Sequence, residues 1–128
     1  MEKRPVLHLP PTFMEIVVAL TAVATLILSW ILAALYYRDL PDTIVTHYNF
    51  SGLADGYGSK KMIFVMPGIA TVIAIILALL SRIPHRFNYL VTITEANAES
   101  QYRQGRMILL VIGLLVALLA VWAVCALA

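Results

Sequence analysis

Residues 16–37, IVVALTAVATLILSWILAALYY, contain no aspartate, glutamate, lysine, arginine or histidine. A helix needs about 20 apolar residues to cross a hydrocarbon core of about 30 Å, and this run supplies them without a break. Two further runs do the same, Met62 to Ser81 and Met107 to Ala128. Three such segments in a chain of 128 residues predict a polytopic membrane protein, all-α in class, forming a single membrane domain over 1–128. The helices are expected at about 13–37, 60–81 and 107–128, joined by an outer loop at 38–59 and a second polar connection at 82–106.

Composition supports this class. The chain is 62% hydrophobic and 12% charged, whereas a soluble domain is about 25% charged. Too few polar groups are present to cover a globular surface. The net charge of +2 is not gathered into a basic stripe, so a nucleic-acid partner is not expected. The one cysteine, Cys125, cannot form an intrachain disulfide and reads as a packing residue of the last span. The first run is longer than the apolar region of a cleaved signal peptide and ends in Ala34-Leu35-Tyr36-Tyr37, which predicts an uncleaved anchor.

Lysine and arginine set the expected orientation. Lys3, Arg4, Arg82, Arg86, Arg103 and Arg106 fall on one side of the spans, against Arg38, Lys60 and Lys61 on the other. The richer side is expected to be cytoplasmic. That places the N-terminus and 82–106 inside, and the 38–59 loop and C-terminus outside.

Local signals refine the elements. Thr12 is a candidate N-cap for the first helix, and Glu15 suits the positive end of its dipole. Ser59 is the candidate cap of the second, whose early Pro67 and Gly68 suggest a kink or tilt. Phe87, Tyr89, Val91 and Ile93 alternate with Asn88, Leu90, Thr92 and Thr94, a pattern of extended chain. A helix starting near Thr94 could then run into the third span, with Glu99 and Arg103 as a favourable i, i+4 pair. Within the spans, Thr21, Thr25 and Ser29 recur every four residues, as do Ala70, Ala74 and Ala78, and Gly113 and Ala117. Small residues so spaced are expected to pack helices together, within the subunit or between copies. No ionisable residue lies deep in a span, which argues against a proton-coupled transporter.

The outer segment Leu40–Lys61, LPDTIVTHYNFSGLADGYGSKK, carries the remaining polar chemistry. If 44–50 is extended, Ile44, Thr46, Tyr48 and Phe50 share one face and Val45, His47 and Asn49 the other. Ser51-Gly52 should turn the chain, and Asp55-Gly56 with Gly58 should turn it again. Asp55 could then fold back toward His47 and Asn49, with Lys60 arriving at the next helix. Three readings remain open for Asp42, His47, Asn49, Asp55 and Lys60: fixing the loop, recognising a ligand, or a metal or catalytic site. For metal, His47 and Asp55 with Asp42 give at most three ligands, without the spacing of known zinc motifs. No nucleophile–base arrangement or phosphate loop is present. A non-enzymatic protein without cofactor is expected.

The run L-P-D-x-I-x-x-H-x-N-x-x-G-x-x-D-x-x-x-S-K, Leu40 to Lys60, resembles the signature of the bacterial SdpI-like membrane proteins, and more narrowly their N-terminal domain of unknown function. The stretch Phe87–Glu99 with Gln101-Tyr102-Arg103 also resembles cytoplasmic-loop sequence of stand-alone members. The matched positions are Pro41, Asp42, His47, Asn49, Gly52, Asp55 and Lys60. The resemblance implies a bacterial inner-membrane protein related to a toxin-immunity and signalling protein whose own chain continues with further helices. The expected function is binding of an extracytoplasmic ligand, peptide or partner protein through the outer loop, in contact with membrane lipid. The alternatives are an accessory subunit of a larger complex and, third, a small oligomeric transporter or channel.

Overall fold

The computed structural model describes residues 3–128; Met1 and Glu2 of the expected N-terminal arm lie outside them. Its elements are α1 (Phe13–Asp39), β1 (Thr43–Tyr48), β2 (Ala54–Ser59), a 3-10 turn at Lys60–Phe64, α2 (Val65–Leu80), a second 3-10 turn at Pro84–Arg86, and α3 (Ala98–Leu127). Three segments, Phe13–Asp39, Lys60–Leu80 and Ala98–Leu127, are long and apolar enough to cross a membrane. No more than 17% of the most apolar window of any of them is buried within the chain. The apolar remainder needs lipid around it. This is a multi-pass membrane protein by length and composition.

Helix starts follow local chemistry. The Thr12 hydroxyl accepts from the Glu15 N–H at 3.2 Å and the Glu15 carboxylate accepts from the Thr12 N–H at 2.6 Å, a complete capping box. Ser59 Oγ accepts from the Lys61 N–H, so that end begins as a 3-10 turn before α2 takes over. Pro67 sits buried in the first turn of α2, where its missing N–H costs no helical bond. Upstream of α3, Thr94 and Asn97 exchange hydrogen bonds, Thr94 N–H to Asn97 Oδ1 at 2.8 Å and Asn97 N–H to Thr94 Oγ1 at 3.3 Å. The 30 residues of α3 span about 45 Å, more than the bilayer core. Its first turns therefore project beyond it, beginning at Ala98 rather than at 107.

Two expectations are corrected. The chain is mostly helical but not all-α, because 43–59 forms an antiparallel hairpin. Asp55-Gly56 and Gly58 do not turn the chain; they lie within β2. The alternating stretch 87–94 is non-helical and joins no strand among the described residues.

Two buried hydrophobic clusters lie at opposite ends of the bundle. Near the hairpin, Ala33 of α1, Ile63 of the 3-10 turn and Val124 of α3 form a fully buried cluster. At the opposite end, Ile93, Ala98 and Tyr102 form another, with Leu9 of the arm and Tyr89 packed on it. Helix α3 lies along both other helices, whereas α1 and α2 touch much less. Of the regularly spaced small residues, Ser29, Ala70 and Ala117 are buried, Thr25, Ala74 and Gly113 half-buried, and Thr21 and Ala78 exposed. The Thr21 and Thr25 hydroxyls bond back to Val17 O and Thr21 O of their own helix. A cross-helix polar bond is made by Trp30, whose Nε1 donates to Thr71 Oγ1 at 3.0 Å.

Candidate functional site

The hairpin is built from a β-branched and aromatic strand, TIVTHY, facing a small-residue strand, ADGYGS. Pairing runs Thr43↔Ser59, Ile44↔Gly58 and Val45↔Tyr57, then shifts to His47↔Gly56 and Tyr48↔Ala54. A register shift at Thr46, reversed at Asp55, breaks the simple alternation of faces. It also explains the glycines. A Cβ on Gly56 would lie 2.9 Å from His47 Cβ, and one on Gly58 would lie 3.2 Å from Thr46 Cγ2. Glycine is present to admit the side chains of β1. The turn itself uses Gly52, at φ +79°, a conformation glycine adopts without cost.

The five polar residues expected in this segment divide into three places. His47 and Asp55 meet: Nδ1 and Oδ1 are 2.5 Å apart, with side chains 70% and 44% exposed. Asn49 does not join them. Its Oδ1 accepts the backbone N–H of Ser51 at 2.9 Å and of Leu53 at 3.0 Å, fixing the turn. Lys60 is at the opposite end of the hairpin, 3.8 Å from Asp42 and with its ammonium 4.6 Å from the centre of the Tyr37 ring. The Lys60 N–H also bonds Asp42 O at 3.0 Å, closing the hairpin base. Four strand residues separate the two pairs, so they lie about 16 Å apart along extended chain.

The hairpin that carries the His47–Asp55 pair also exposes large apolar side chains. Phe50 at the apex is fully exposed, and Tyr48, Leu53 and Tyr57 are each more than half exposed. Among the described residues no three histidine, cysteine, aspartate or glutamate side chains are gathered closely enough to hold a metal ion. The arrangement can offer one imidazole–carboxylate pair, aromatic faces and unpaired strand edges.

A second polar cluster lies at the other end of the bundle, and the sequence reading missed its extent. Glu15 is buried, and Arg106 meets it with both Nε at 3.2 Å and Nη2 at 2.7 Å. Arg106 Nη1 donates to Leu9 O at 2.8 Å, and Arg103 donates to Pro10 O at 3.0 Å and to Glu99 at 3.2 Å. Arg4 donates to Phe87 O and lies over the Tyr89 ring, while Tyr102 Oη donates to Pro5 O at 2.7 Å. The proline-rich arm is thus tied to the start of α3. Burial pushes the Tyr89 phenol up from its ordinary value, with Tyr102 adding to the rise and Arg4 opposing it. The available signal was a lone acid at the edge of one apolar run facing two arginines, three apart, at the edge of another.

Residues 24–71 match the family model described as Domain of unknown function (DUF1648). The match runs from the middle of α1 through the hairpin into α2. A protein of the archaeon Archaeoglobus fulgidus, described as an uncharacterized protein, is 27% identical over 56 residues, covering 44% of this chain and 31% of that protein. The chain therefore aligns with about a third of its relative's length. No solved structure matches.

Proposed function

We propose that the protein is a membrane-anchored recognition module whose hairpin binds a peptide or partner protein at the membrane surface. The observation that carries this is the exposed hairpin: Phe50, Leu53, Tyr48 and Tyr57 are all exposed on the same hairpin as an exposed His47–Asp55 pair. Large apolar side chains outside the spans, next to a defined polar pair, are typical of a contact surface. The unpaired strand edges add the option of backbone pairing with an extended peptide. Asn49 and the Asp42–Lys60 base hold the surface in shape rather than belonging to it. The resemblance to SdpI-like proteins supports a bacterial inner-membrane setting and a peptide toxin or signalling partner. The lysine and arginine bias supports an extracytoplasmic hairpin, with the arm and the start of α3 in the cytoplasm.

The test is photo-crosslinking in intact cells, with a benzophenone amino acid placed at Phe50, at Tyr57 and at the lipid-facing Leu115. A discrete adduct from the two hairpin positions, lost in Asp55→Ala at unchanged membrane level, supports the reading. An adduct from Leu115 alone would overturn it in favour of an accessory subunit docked through its helices. No protein adduct at any position would overturn both.

A further inference from the structure

Two cavities meet on the side of the bundle where α1 and α2 part. One is an apolar space of about 140 Å³ between the three helices, lined by Ala22, Ala74, Ala78 and Gly113 among others. The other, of about 680 Å³, opens at the arm end and is walled by Ile16 and Leu20 below and by His8, Arg82 and the Glu15–Arg106 pair above. Ala19 and Leu110 line both, so they form one continuous groove with a polar mouth and an apolar floor. Its apolar floor reaches as far as Leu26 on α1 and Ala70 on α2.

We propose that this groove binds one anionic phospholipid, its phosphate at Arg82 and one acyl chain between α1 and α2. Charge complementarity selects the headgroup. Arg106 is neutralised by Glu15, whereas Arg82 is exposed and its guanidinium has no partner among the described residues. Arg82 follows α2 by two positions, at the depth where a membrane presents its phosphates. His8 is exposed across the mouth and supplies a second donor. The length fits as well. From Glu15 at the mouth to Leu26 at the end of the floor the helix rises about 16 Å, close to the thickness of one leaflet's hydrocarbon, about 15 Å. A protein partner would have to enter through lipid to fill the same space.

The experiment uses the full chain reconstituted in nanodiscs of equimolar palmitoyl-oleoyl phosphatidylglycerol and phosphatidylcholine, then released into detergent for native mass spectrometry. The wild-type chain should retain one phosphatidylglycerol in preference to phosphatidylcholine. Arg82→Gln, at an exposed site, should fold normally and lower that preference about fivefold, the loss expected for one basic group at an anionic surface. Ala22→Leu should lower retention of both lipids by filling the floor. Equal retention of the two lipids by the wild-type chain, or an unchanged preference in Arg82→Gln, would overturn the headgroup assignment. Unchanged retention in Ala22→Leu would overturn the acyl-chain placement.

Discussion

The Arg106 guanidinium meets the Glu15 carboxylate through two nitrogens, at 2.7 and 3.2 Å, across 91 residues of sequence. Both side chains are largely buried, with exposures of 13% and 4%. Glu15 also accepts from the Thr12 N–H, so one carboxylate caps α1 and ties it to α3. Removing one partner from a buried pair leaves an uncompensated charge, at a typical cost of about 3–5 kcal/mol. Glu15→Ala should therefore lower the unfolding midpoint in detergent strongly. The double change Glu15→Met with Arg106→Met should recover much of the loss, because neither charge is then stranded. A thermal unfolding series on the single and double variants checks this.

Asn49 holds two backbone N–H groups with one oxygen. Replacing it by alanine leaves both to water at an exposed turn, a loss of about 1 kcal/mol by analogy with side-chain caps. The effect should be local. Asn49→Ala is expected to speed amide exchange and proteolytic nicking around Phe50 without changing global unfolding. Asn49→Asp should be nearly neutral, since a carboxylate accepts the same two bonds. Hydrogen exchange read by mass spectrometry distinguishes the two variants.

Glycines at three positions should not respond alike. A methyl on Gly56 would press on His47 Cβ at 2.9 Å, whereas a methyl on Gly68 meets nothing within 4 Å. Gly56→Ala should push the strands apart and separate His47 from Asp55. Gly68→Ala should be neutral or stabilising by about 0.5–1 kcal/mol, because alanine favours helix over glycine. Gly105→Ala is expected to behave like Gly56→Ala at the other end, since its methyl would meet Phe87 Cδ2 at 2.9 Å and Tyr89 Oη at 3.1 Å. Unfolding midpoints of the three variants in one detergent provide the comparison.

The three spans were legible because uncharged runs of bilayer length have few other uses, and Thr12, Ser59 and the Glu99–Arg103 pair were legible because their partners lie within four residues. The hairpin was half legible. TIVTHY has the composition of a strand, but the glycines of ADGYGS read as turns, and only the packing of Thr46 and His47 over them makes them strand. Whether the polar loop residues converge depends on register, and a one-step shift at Thr46, reversed at Asp55, decides which of them face each other. The Glu15–Arg106 pair spans 91 residues, so no local pattern could announce it. The groove between α1 and α2 is a property of helix splay, which spacing of small residues alone predicts as close packing.

Lys60 and Asp42 form the last test, because two contacts compete for one ammonium. The Lys60 side chain is 22% exposed and that of Asp42 fully exposed, at a separation of 3.8 Å. A pair with one fully hydrated partner is screened and contributes little. The Tyr37 ring, with its centre 4.6 Å from the ammonium, is half-buried against Ile63 and Phe64, so less water separates it from the charge. A cation over an aromatic face contributes about 0.5–2 kcal/mol, more as water is removed. Asp42→Asn should therefore leave the unfolding midpoint unchanged and insensitive to added salt. Lys60→Met, which keeps most of the apolar stem, should lower it, and Tyr37→Leu should abolish the difference between lysine and methionine at position 60. A double-mutant cycle on Lys60 and Tyr37 measures the coupling directly, and a coupling of zero would assign the hairpin base to its backbone bond, Lys60 N–H to Asp42 O, alone.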